Sequence, residues 1–401
     1  MNGKSVNVIL KNSLLYKWHN KGNISLISNS FSEKYFDYFS FPIGRGIGRY
    51  LKRIPFHFST IIQTEQFLFA AVDRVRSFPL FYKLEQNSII LTDSIQSVEA
   101  NYIFDSSSVE YFKTNLCCQG NKTLLMNWHQ IFPGEYLLLN KISGELFTER
   151  YYSFTPLTPL EKPDSKKMKK IYLDVFAGLL DSANGKTIII PLSGGYDSRS
   201  IVSVLTELQA KNIFTYTYGK KDGSEKYIAE RIAKKLNLNW HFVEYNPALL
   251  NEFFKESWEA FSSQNHHFTS LPVEQDFFAL TSLKRAGLLP EEGVVFSGYL
   301  GDCLGGSMFK NRYVKEEKLK YQDDFLSNFE SKYTLNAVHL YEYFGLEWRA
   351  PFVTPAILDA WFSISLEDRC FKNGYNDFLR NTFFLPLDID FLKRDHYYHS
   401  G

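Results

Sequence analysis

Residues 187–198 read TIIIPLSGGYDS, and this stretch decides the fold that we predict for the chain. Its first part, Thr187–Pro191, is a short apolar run of the kind that forms a buried strand. A glycine-containing loop follows, and Ser198–Ala210 has the pattern of a helix. A strand, a tight loop and a helix in this order begin a βαβ unit.

The same alternation continues on the C-terminal side of this stretch. We predict strands at Ile213–Tyr218 and Trp240–Tyr245, a helix at Ser224–Leu236 between them, and a further buried strand at Val294–Ser297. Strands and helices joined by a few residues are typical of a parallel sheet with helices on both faces. The second part of the chain is therefore predicted to be α/β, with extra helices after Pro247.

The N-terminal part has a different pattern of apolar and turn residues. Short apolar or alternating runs, separated by Gly, Asn and Ser turns, predict a β-rich α+β domain; they include Val6–Leu10, Phe67–Val72, Ser88–Leu91 and Tyr136–Leu139. Residues 154–165 carry three of the 14 prolines, which favours an extended linker. We predict two domains, 1–155 and 167–401, joined by a linker at 156–166.

Composition excludes several classes of protein. With 45 Lys and Arg against 44 Asp and Glu, the net charge is +1, so the chain lacks the general basic character of a nucleic-acid-binding protein. Apolar residues make up 44% and charged residues 22%, values that indicate a globular chain with a full core rather than disorder.

The location that we expect is cytoplasmic. No apolar run approaches the roughly 20 residues that span a bilayer, and the N-terminus lacks the pattern of a secretory signal. The four cysteines, Cys117, Cys118, Cys303 and Cys370, are too few and too irregular for a disulfide framework or a zinc site. We expect free thiols in a reducing compartment, and no membrane partner.

The loop that follows the first strand is a candidate phosphate site. After Leu192 the chain reads Ser193-Gly194-Gly195-Tyr196-Asp197-Ser198. Glycines let the backbone approach an anion, and the first N–H groups of the next helix favour phosphate. A carboxylate beside phosphates implies a divalent cation between them. The alternative is a Gly-Gly turn with an N-capping residue. The loop has neither the Walker pattern nor GxGxxG.

Ser-Gly-Gly-x-Asp-Ser resembles the PP-loop of the ATP pyrophosphatases, which include asparagine, GMP and NAD synthetases and tRNA-thiolating enzymes. The resemblance implies that ATP and Mg²⁺ are the cofactors and that ATP is cleaved between its α and β phosphates. It also implies that Leu192, Ser193, Gly194, Gly195, Asp197 and Ser198 bind the nucleotide, with Asp197 as a metal ligand. Tyr218 and Gly219, by analogy with the family, would lie against adenine.

A second segment resembles asparagine synthetases in particular. Residues 297–302, SGYLGD, followed by Leu304-Gly305-Gly306, are similar to the family pattern Ser-Gly-x-Gly-x-Asp-Glu-x-x-Gly-Gly. This implies that Ser297 and Gly298 line the nucleotide and that Asp302 is the second metal carboxylate. Gly301 replaces a common serine and Cys303 a usual glutamate.

Two C-terminal features extend the resemblance. Residues 346–353, LEWRAPFV, are similar to the family's Leu-Glu-x-Arg-x-Pro-Phe-Leu, which implies that Glu347 acts on the incoming amine. The alternative is that Glu347 and Arg349 form a structural ion pair. For Arg349 we prefer this interpretation. The family also has a catalytic lysine near its C-terminus, and Lys393 or Arg394 would fill that role; a solvated basic pair is the alternative.

The N-terminal domain resembles a class II (Ntn-type) glutaminase domain at residues 73–82, DRVRSFPLFY. Such a glutaminase uses a cysteine at residue 2 as nucleophile, and this sequence has Asn2. We therefore expect a degenerate domain that no longer hydrolyses glutamine and instead has a structural or substrate-shaping role.

Together these features predict an ATP-dependent amide-forming ligase. It would adenylate aspartate or a related acid and transfer ammonia or an amine, supplied free or by a partner. Alternatives within the family are the amidation or cyclisation of a sugar acid or peptide, as in polysaccharide amidation, lasso-peptide and β-lactam formation. A tRNA thiolase and a non-catalytic nucleotide-binding relative are further alternatives.

Overall fold

The computed structural model describes residues 4–13, 15–157, 160–256, 258–265, 267–308 and 316–392. The chain divides into two compact units. The first contains Met1–Thr155, Asn265–Val273 and Lys320–Ala337, and the second contains Pro156–Gln264, Glu274–Leu319 and Val338–Gly401.

The first unit is built from two sheets of short strands. The strands are β1 (Ser5–Ile9), β2 (His19–Lys21), β3 (Ile24–Ile27), β4 (Ser59–Gln63), β5 (Phe67–Val72), β6 (Phe81–Leu84), β7 (Ser88–Thr92), β8 (Trp128–Gln130), β9 (Glu135–Asn140) and β10 (Leu146–Arg150). They form sheets of order β1-β7-β6-β8 and β10-β9-β5-β4-β3-β2. Neighbouring strands are antiparallel except β1 and β7. Helices α1 (Gly48–Leu51) and α2 (Ser106–Asn115) complete this part.

Residues from both sheets share one apolar core. Leu68, Ala70 and Val72 alternate along β5, and all three are fully buried. Phe69 and Ala71 between them are buried as well, so both faces of this strand are covered. Leu80, Tyr82, Ile89 and Leu91 belong to the same cluster; of these, Tyr82 lies on β6, and Ile89 and Leu91 on β7. The β-rich N-terminal region predicted from sequence is confirmed.

The second unit contains one parallel sheet. Its strands are β11 (Thr187–Pro191), β12 (Ile213–Gly219), β13 (Asn239–Glu244), β14 (Gly293–Phe296) and β15 (Glu347–Arg349), in the order β13-β12-β11-β14-β15. Its helices are α3 (Ser165–Ser182), α4 (Tyr196–Glu207), α5 (Ser224–Lys235), α6 (Pro247–Glu256), α7 (Trp258–Asn265), α8 (Phe277–Arg285), α9 (Gly301–Leu304), α11 (His339–Tyr343), α12 (Pro355–Phe362), α13 (Leu366–Arg369) and α14 (Asn373–Leu379). Helix α10 (Glu316–Asp324) leads into the first unit, where a π-helix at Phe325–Thr334 continues it. A second π-helix, Arg380–Phe384, follows α14. The predicted α/β character of this region is confirmed.

The order of the strands places a crevice between β11 and β14. Ile188, Ile189 and Ile190 of β11 are all buried, as expected for a parallel strand covered on both faces. The chain moves from β11 to β12 and β13 in one direction and returns to the other side of β11 with β14. Ligands of open α/β sheets bind at the carboxyl ends of strands at such a reversal.

The domain boundaries differ from the prediction in two segments. Residues 265–273 and 320–337 belong to the first unit, although the sequence suggested a single second domain at 167–401. Backbone bonds join the first of these segments to that unit: Cys118 N–H donates to Thr269 O at 2.7 Å and Leu124 N–H to Phe268 O at 2.7 Å. Because these contacts join residues about 150 positions apart, local patterns cannot reveal them.

Lys332, on the first π-helix, fixes the second of these segments. Its ammonium is fully buried and donates to Cys118 O at 2.8 Å, Gly120 O at 2.6 Å and Asn328 Oδ1 at 2.8 Å. Burial lowers the pKa of Lys332 to about 7. Three acceptors match the three protons of an ammonium, so this side chain joins the segment to the loop after α2.

The predicted linker is tied to the second unit. Leu157 N–H donates to Phe362 O at 2.8 Å, and Glu161 N–H donates to Ser363 O at 2.7 Å. Helix α3 begins at Ser165, within the linker predicted at 156–166, because the Asp164 carboxylate caps it by accepting from Lys166 N–H and Lys167 N–H. Of the helices in the described ranges, none combines the length and the apolar character that crossing a bilayer requires.

Candidate functional site

The loop between β11 and α4 lies at the carboxyl edge of the parallel sheet. Leu192 is buried and extends β11, since its N–H donates to Tyr216 O at 2.8 Å. Gly195 is the N-cap of α4. The backbone N–H groups of 193–195 and the amino terminus of a 12-residue helix therefore lie in the same region, which favours an anion.

Groups of this unit satisfy the loop donors. Ser193 N–H donates to Ser198 Oγ at 2.9 Å, and Gly195 N–H donates to Ser193 Oγ at 3.1 Å. Gly194 N–H donates to the Glu225 carboxylate on α5 at 2.6 Å. A Cβ on Gly194 would lie 3.0 Å from that carboxylate and 3.3 Å from Ile228 Cβ. The first glycine of the motif is therefore needed for close packing, and sequence reasoning missed Glu225.

Asp197 and Asp302, the two predicted metal ligands, lie side by side. Asp302 N–H donates to Asp197 Oδ2 at 3.1 Å. A Cβ on Gly301 would lie only 2.5 Å from Asp197 Cγ, so the Asp197 carboxylate rests directly on the backbone of 301–302. This close approach explains why glycine stands at 301, where the asparagine synthetase pattern commonly has serine.

Two residues near the C-terminus complete this acidic pair, and sequence reasoning missed both. The buried Tyr375 of α14 donates its hydroxyl to Asp197 Oδ1 at 2.7 Å. Lys372 Nζ lies 3.5 Å from Asp302 Oδ2. Burial, and then the negative charge of Asp302, raise the pKa of Asp197 to about 7.

The donor set fits Mg²⁺. Burial is the main cause of the raised pKa of Asp197, and repulsion by the neighbouring Asp302 carboxylate adds to it. A divalent cation would relieve that repulsion. Nowhere in the described ranges do three or more His, Cys, Asp or Glu side chains gather into one cluster. Mg²⁺ is commonly held by one or two carboxylates, with phosphate oxygens and water completing its shell.

The other predicted nucleotide residues also lie at the carboxyl ends of strands. Tyr218 and Gly219 end β12, and the Tyr218 ring stacks on Tyr245 with centroids 4.8 Å apart. Ser297 and Gly298 follow β14, and Ser297 N–H donates to Arg349 O at 2.9 Å. The structure therefore brings the loops after β11 and β14 together at one edge.

Leu300 has an unusual backbone in the second loop. Its φ is 68°, in the left-handed region that favours glycine. The backbone at Leu300 therefore forms a glycine-type turn although the residue is a leucine.

Glu347 lies at the opposite edge of the sheet, so the structure does not bring it to the acidic pair. Glu347 is the first residue of β15. It pairs with Val294 of β14, which in turn pairs with Ile188 of β11. Five residues of extended chain, about 16 Å, separate the level of Ile188 from that of Ser193. The predicted action on an amine at the Asp197–Asp302 edge is not supported by this placement.

The contacts of Glu347 are those of an ion pair. Lys186 Nζ lies 2.6 Å from its Oε1, and Arg349 Nη2 lies 3.0 Å from its Oε2. Arg349 also donates to Ser182 O at 3.0 Å. The ion-pair interpretation preferred for Arg349 agrees with this geometry. Lys393 and Arg394 lie outside the described residues.

Comparison with known protein families gives a match over part of the chain. Residues 186–320 match the family model "Asparagine synthase". No curated protein matches the chain. Among solved structures, the NH3-dependent NAD synthetase of Campylobacter jejuni is 14% identical to this chain, with a TM-score of 0.25. The match covers 42% of this chain and 76% of the synthetase chain. NMN synthetase of Francisella tularensis is 12% identical with a TM-score of 0.26, covering 58% and 98%. NAD+ synthetase of Burkholderia pseudomallei is 14% identical with a TM-score of 0.24, covering 60% and 90%.

Proposed function

We propose that the protein is an ATP-dependent ligase that forms an amide bond, because residues 186–320 match the asparagine synthase family model. A carboxylate of the substrate attacks the α-phosphorus of ATP, which gives an acyl-adenylate and releases pyrophosphate. Ammonia or an amine then attacks the acyl carbon and displaces AMP. The observation that carries the proposal is the pair Asp197 and Asp302 beside the 193–198 loop.

Each part of the loop has a task in this reaction. Ser193, Gly194, Gly195 and Ser198 form the loop that binds the pyrophosphate portion of ATP. The hydroxyls of Ser193 and Ser198 face the anion while the Gly194 N–H stays with Glu225, and the amino terminus of α4 adds a favourable field. Asp197 and Asp302 would hold Mg²⁺, which would supply positive charge to the phosphates of ATP. These fixed donors stabilise the charge that develops on the leaving pyrophosphate.

The remaining nucleotide contacts come from the neighbouring strand ends. Tyr218 and Gly219 lie against adenine, and Ser297 and Gly298 line the nucleotide from the other side. The activated acid is aspartate or a related carboxylate. A sugar acid or a peptide carboxylate, amidated or cyclised, is the alternative within the same chemistry.

The nitrogen comes from free ammonia, a partner or an amine substrate, and the N-terminal unit is a degenerate glutaminase-like domain. Residues 1–155 contain two cysteines, Cys117 and Cys118. Both are buried, and burial raises the pKa of Cys118 to about 12. A thiol of that kind is a poor nucleophile, because the thiolate is the reactive form.

A second candidate is a non-catalytic nucleotide-binding protein. It is favoured by one observation: Glu347 is engaged by Lys186 at 2.6 Å, at the edge away from the acidic pair. Such a protein would bind ATP with Mg²⁺ through the same loop and would release no pyrophosphate.

The test uses the purified full chain with ATP, Mg²⁺, aspartate and ammonium, and then with glutamine in place of ammonium. We expect AMP, pyrophosphate and an amide from ammonium, and no amide from glutamine, with products identified by mass spectrometry. Asp302→Asn is the matched control and should release no pyrophosphate. Binding of ATP without turnover on any acid tested would favour the second candidate.

A further inference from the structure

Arg199 is a buried cation behind the phosphate loop. It lies on α4 and is 1% exposed. Its Nη2 donates to Gly194 O at 2.8 Å, while its Nη1 donates to Ile389 O at 3.3 Å and Phe391 O at 3.1 Å. One guanidinium therefore joins the loop to a segment that lies 190 residues further along the chain.

The Gly194 residue is held at both of its backbone polar groups. Its N–H donates to Glu225, and its carbonyl accepts from Arg199. A carboxylate and a guanidinium thus set the direction of this part of the loop. In the proposed function pyrophosphate binds in this loop, so the orientation of the Gly194 peptide shapes the anion site.

The distant segment, Asp388–Phe391, is anchored by charges of its own. Lys235 Nζ lies 2.6 Å from Asp388 Oδ2, and Arg380 forms a bidentate pair with Asp390 at 2.7–3.1 Å. The Arg231 guanidinium lies 3.9 Å from the centre of the Phe391 ring. These contacts hold the segment in place independently of the loop, and Arg199 then connects the two.

We propose that Arg199 is a positioning residue that couples the orientation of the Gly194 peptide to the docking of Asp388–Phe391. The proposal rests on the proposed function only for the identity of the ligand, pyrophosphate. A guanidinium can reach both sides because its nitrogens form a rigid planar fork, which a lysine ammonium lacks. When Asp388–Phe391 moves away, the carbonyls of Ile389 and Phe391 no longer accept from the Arg199 guanidinium. The Gly194 carbonyl then loses a donor whose position was fixed.

The test measures amide hydrogen exchange of the nucleotide-free full chain. In Arg199→Met, we expect exchange at Gly194 and Gly195 to rise at least tenfold. Arg349→Met is the matched control. Arg349 is also 1% exposed, and its guanidinium donates to the backbone carbonyls of Ser182 and Trp348 rather than to the 193–198 loop. This control should lose thermal stability and leave exchange at Gly194 and Gly195 unchanged.

Asp390→Asn provides the test of coupling. It weakens the pair with Arg380 and alters no group of the loop, yet we expect faster exchange at both Ile389 and Gly194. In the Arg199→Met background, Asp390→Asn should still speed amide exchange at Ile389 but should not speed exchange at Gly194 any further. Faster exchange at Ile389 with wild-type exchange at Gly194, in the otherwise wild-type chain, would overturn the proposal.

Binding of pyrophosphate with Mg²⁺, measured by calorimetry, gives the second readout. We expect Arg199→Met and Arg199→Lys to bind at least tenfold more weakly than wild type. If wild type itself binds neither pyrophosphate nor ATP, the proposed function fails while the exchange result still decides the coupling. If Arg199→Met does not fold, Arg199→Lys and Asp390→Asn carry the same comparison.

Discussion

Gly301→Ala is the substitution that probes the acidic pair most sharply. The added methyl would lie 2.5 Å from Asp197 Cγ and 2.7 and 2.9 Å from its two oxygens, whereas carbon atoms pack at about 3.5–4.0 Å. Asp197 must therefore move by about 1 Å or more. It cannot do so and also keep its hydrogen bonds from the Tyr375 hydroxyl and from Asp302 N–H.

The magnitude follows from those two bonds. A hydrogen bond to a charged group contributes about 1.5–3 kcal/mol, and a buried hydroxyl left without a partner adds a penalty of similar size. Tyr375 is fully buried, so we expect the free energy of binding ATP with Mg²⁺ to become about 3 kcal/mol less favourable. Since about 1.4 kcal/mol is a factor of ten, the dissociation constant for ATP with Mg²⁺ should rise roughly 100-fold.

The assay is calorimetric titration of ATP in the presence of Mg²⁺, with thermal unfolding measured in parallel. Gly178→Ala is the matched control. Gly178 lies inside α3, and a Cβ there meets nothing within 4 Å. Alanine should stabilise that helix by about 0.5–1 kcal/mol and leave ATP binding unchanged. Wild-type affinity and stability in Gly301→Ala would refute the close approach of Asp197 to the 301–302 backbone.

Three further predictions concern single side chains. Tyr375→Phe keeps the volume and removes the donor to Asp197, so ATP with Mg²⁺ should bind about tenfold more weakly in the same titration; unchanged affinity would mean that the bond does not support the site. Glu347→Gln weakens the pair with Lys186 and should lower the melting temperature while pyrophosphate release stays near the wild-type rate; loss of release would return Glu347 to catalysis. For Lys332, burial lowers the folded-state pKa to about 7 while the unfolded value is about 10.4. Between these two pKa values the unfolded chain therefore binds more protons than the folded chain, and the free energy of unfolding should rise from pH 7 to pH 9 by at most about 1.4 kcal/mol per pH unit. Urea unfolding of Lys332→Met should lack this rise. Parallel plots of unfolding free energy against pH for the variant and the wild type would contradict the prediction.

The sequence predicts the parts of the site that are local. Residues 187–198 contain a strand, an anion-binding loop and a helix start in one continuous stretch, and the loop after β14 has a pattern of its own. Because parallel strands align their carboxyl ends, two loops that each follow such a strand are expected at one edge of the sheet. The neighbouring placement of Asp197 and Asp302 agrees with that expectation.

The parts that sequence reasoning missed depend on contacts between distant residues. Glu225, Tyr375 and Arg199 reach the loop or the acidic pair from other turns of the fold, and no short pattern marks them. Glu347 shows the converse problem. Its motif is recognisable, but the register of β15 against β14 decides the edge at which the carboxylate lies, and register is a property of the assembled sheet.

The central claim is that Asp197 and Asp302 support cleavage of ATP between its α and β phosphates. Exchange of labelled pyrophosphate into ATP, measured with Mg²⁺ over a panel of amino-acid, sugar-acid and peptide carboxylates, tests it most directly. We expect exchange that requires one class of carboxylate and is abolished in Asp302→Asn, whose backbone N–H can still donate to Asp197. ADP and phosphate as the products, or equal exchange in Asp302→Asn, would contradict the claim.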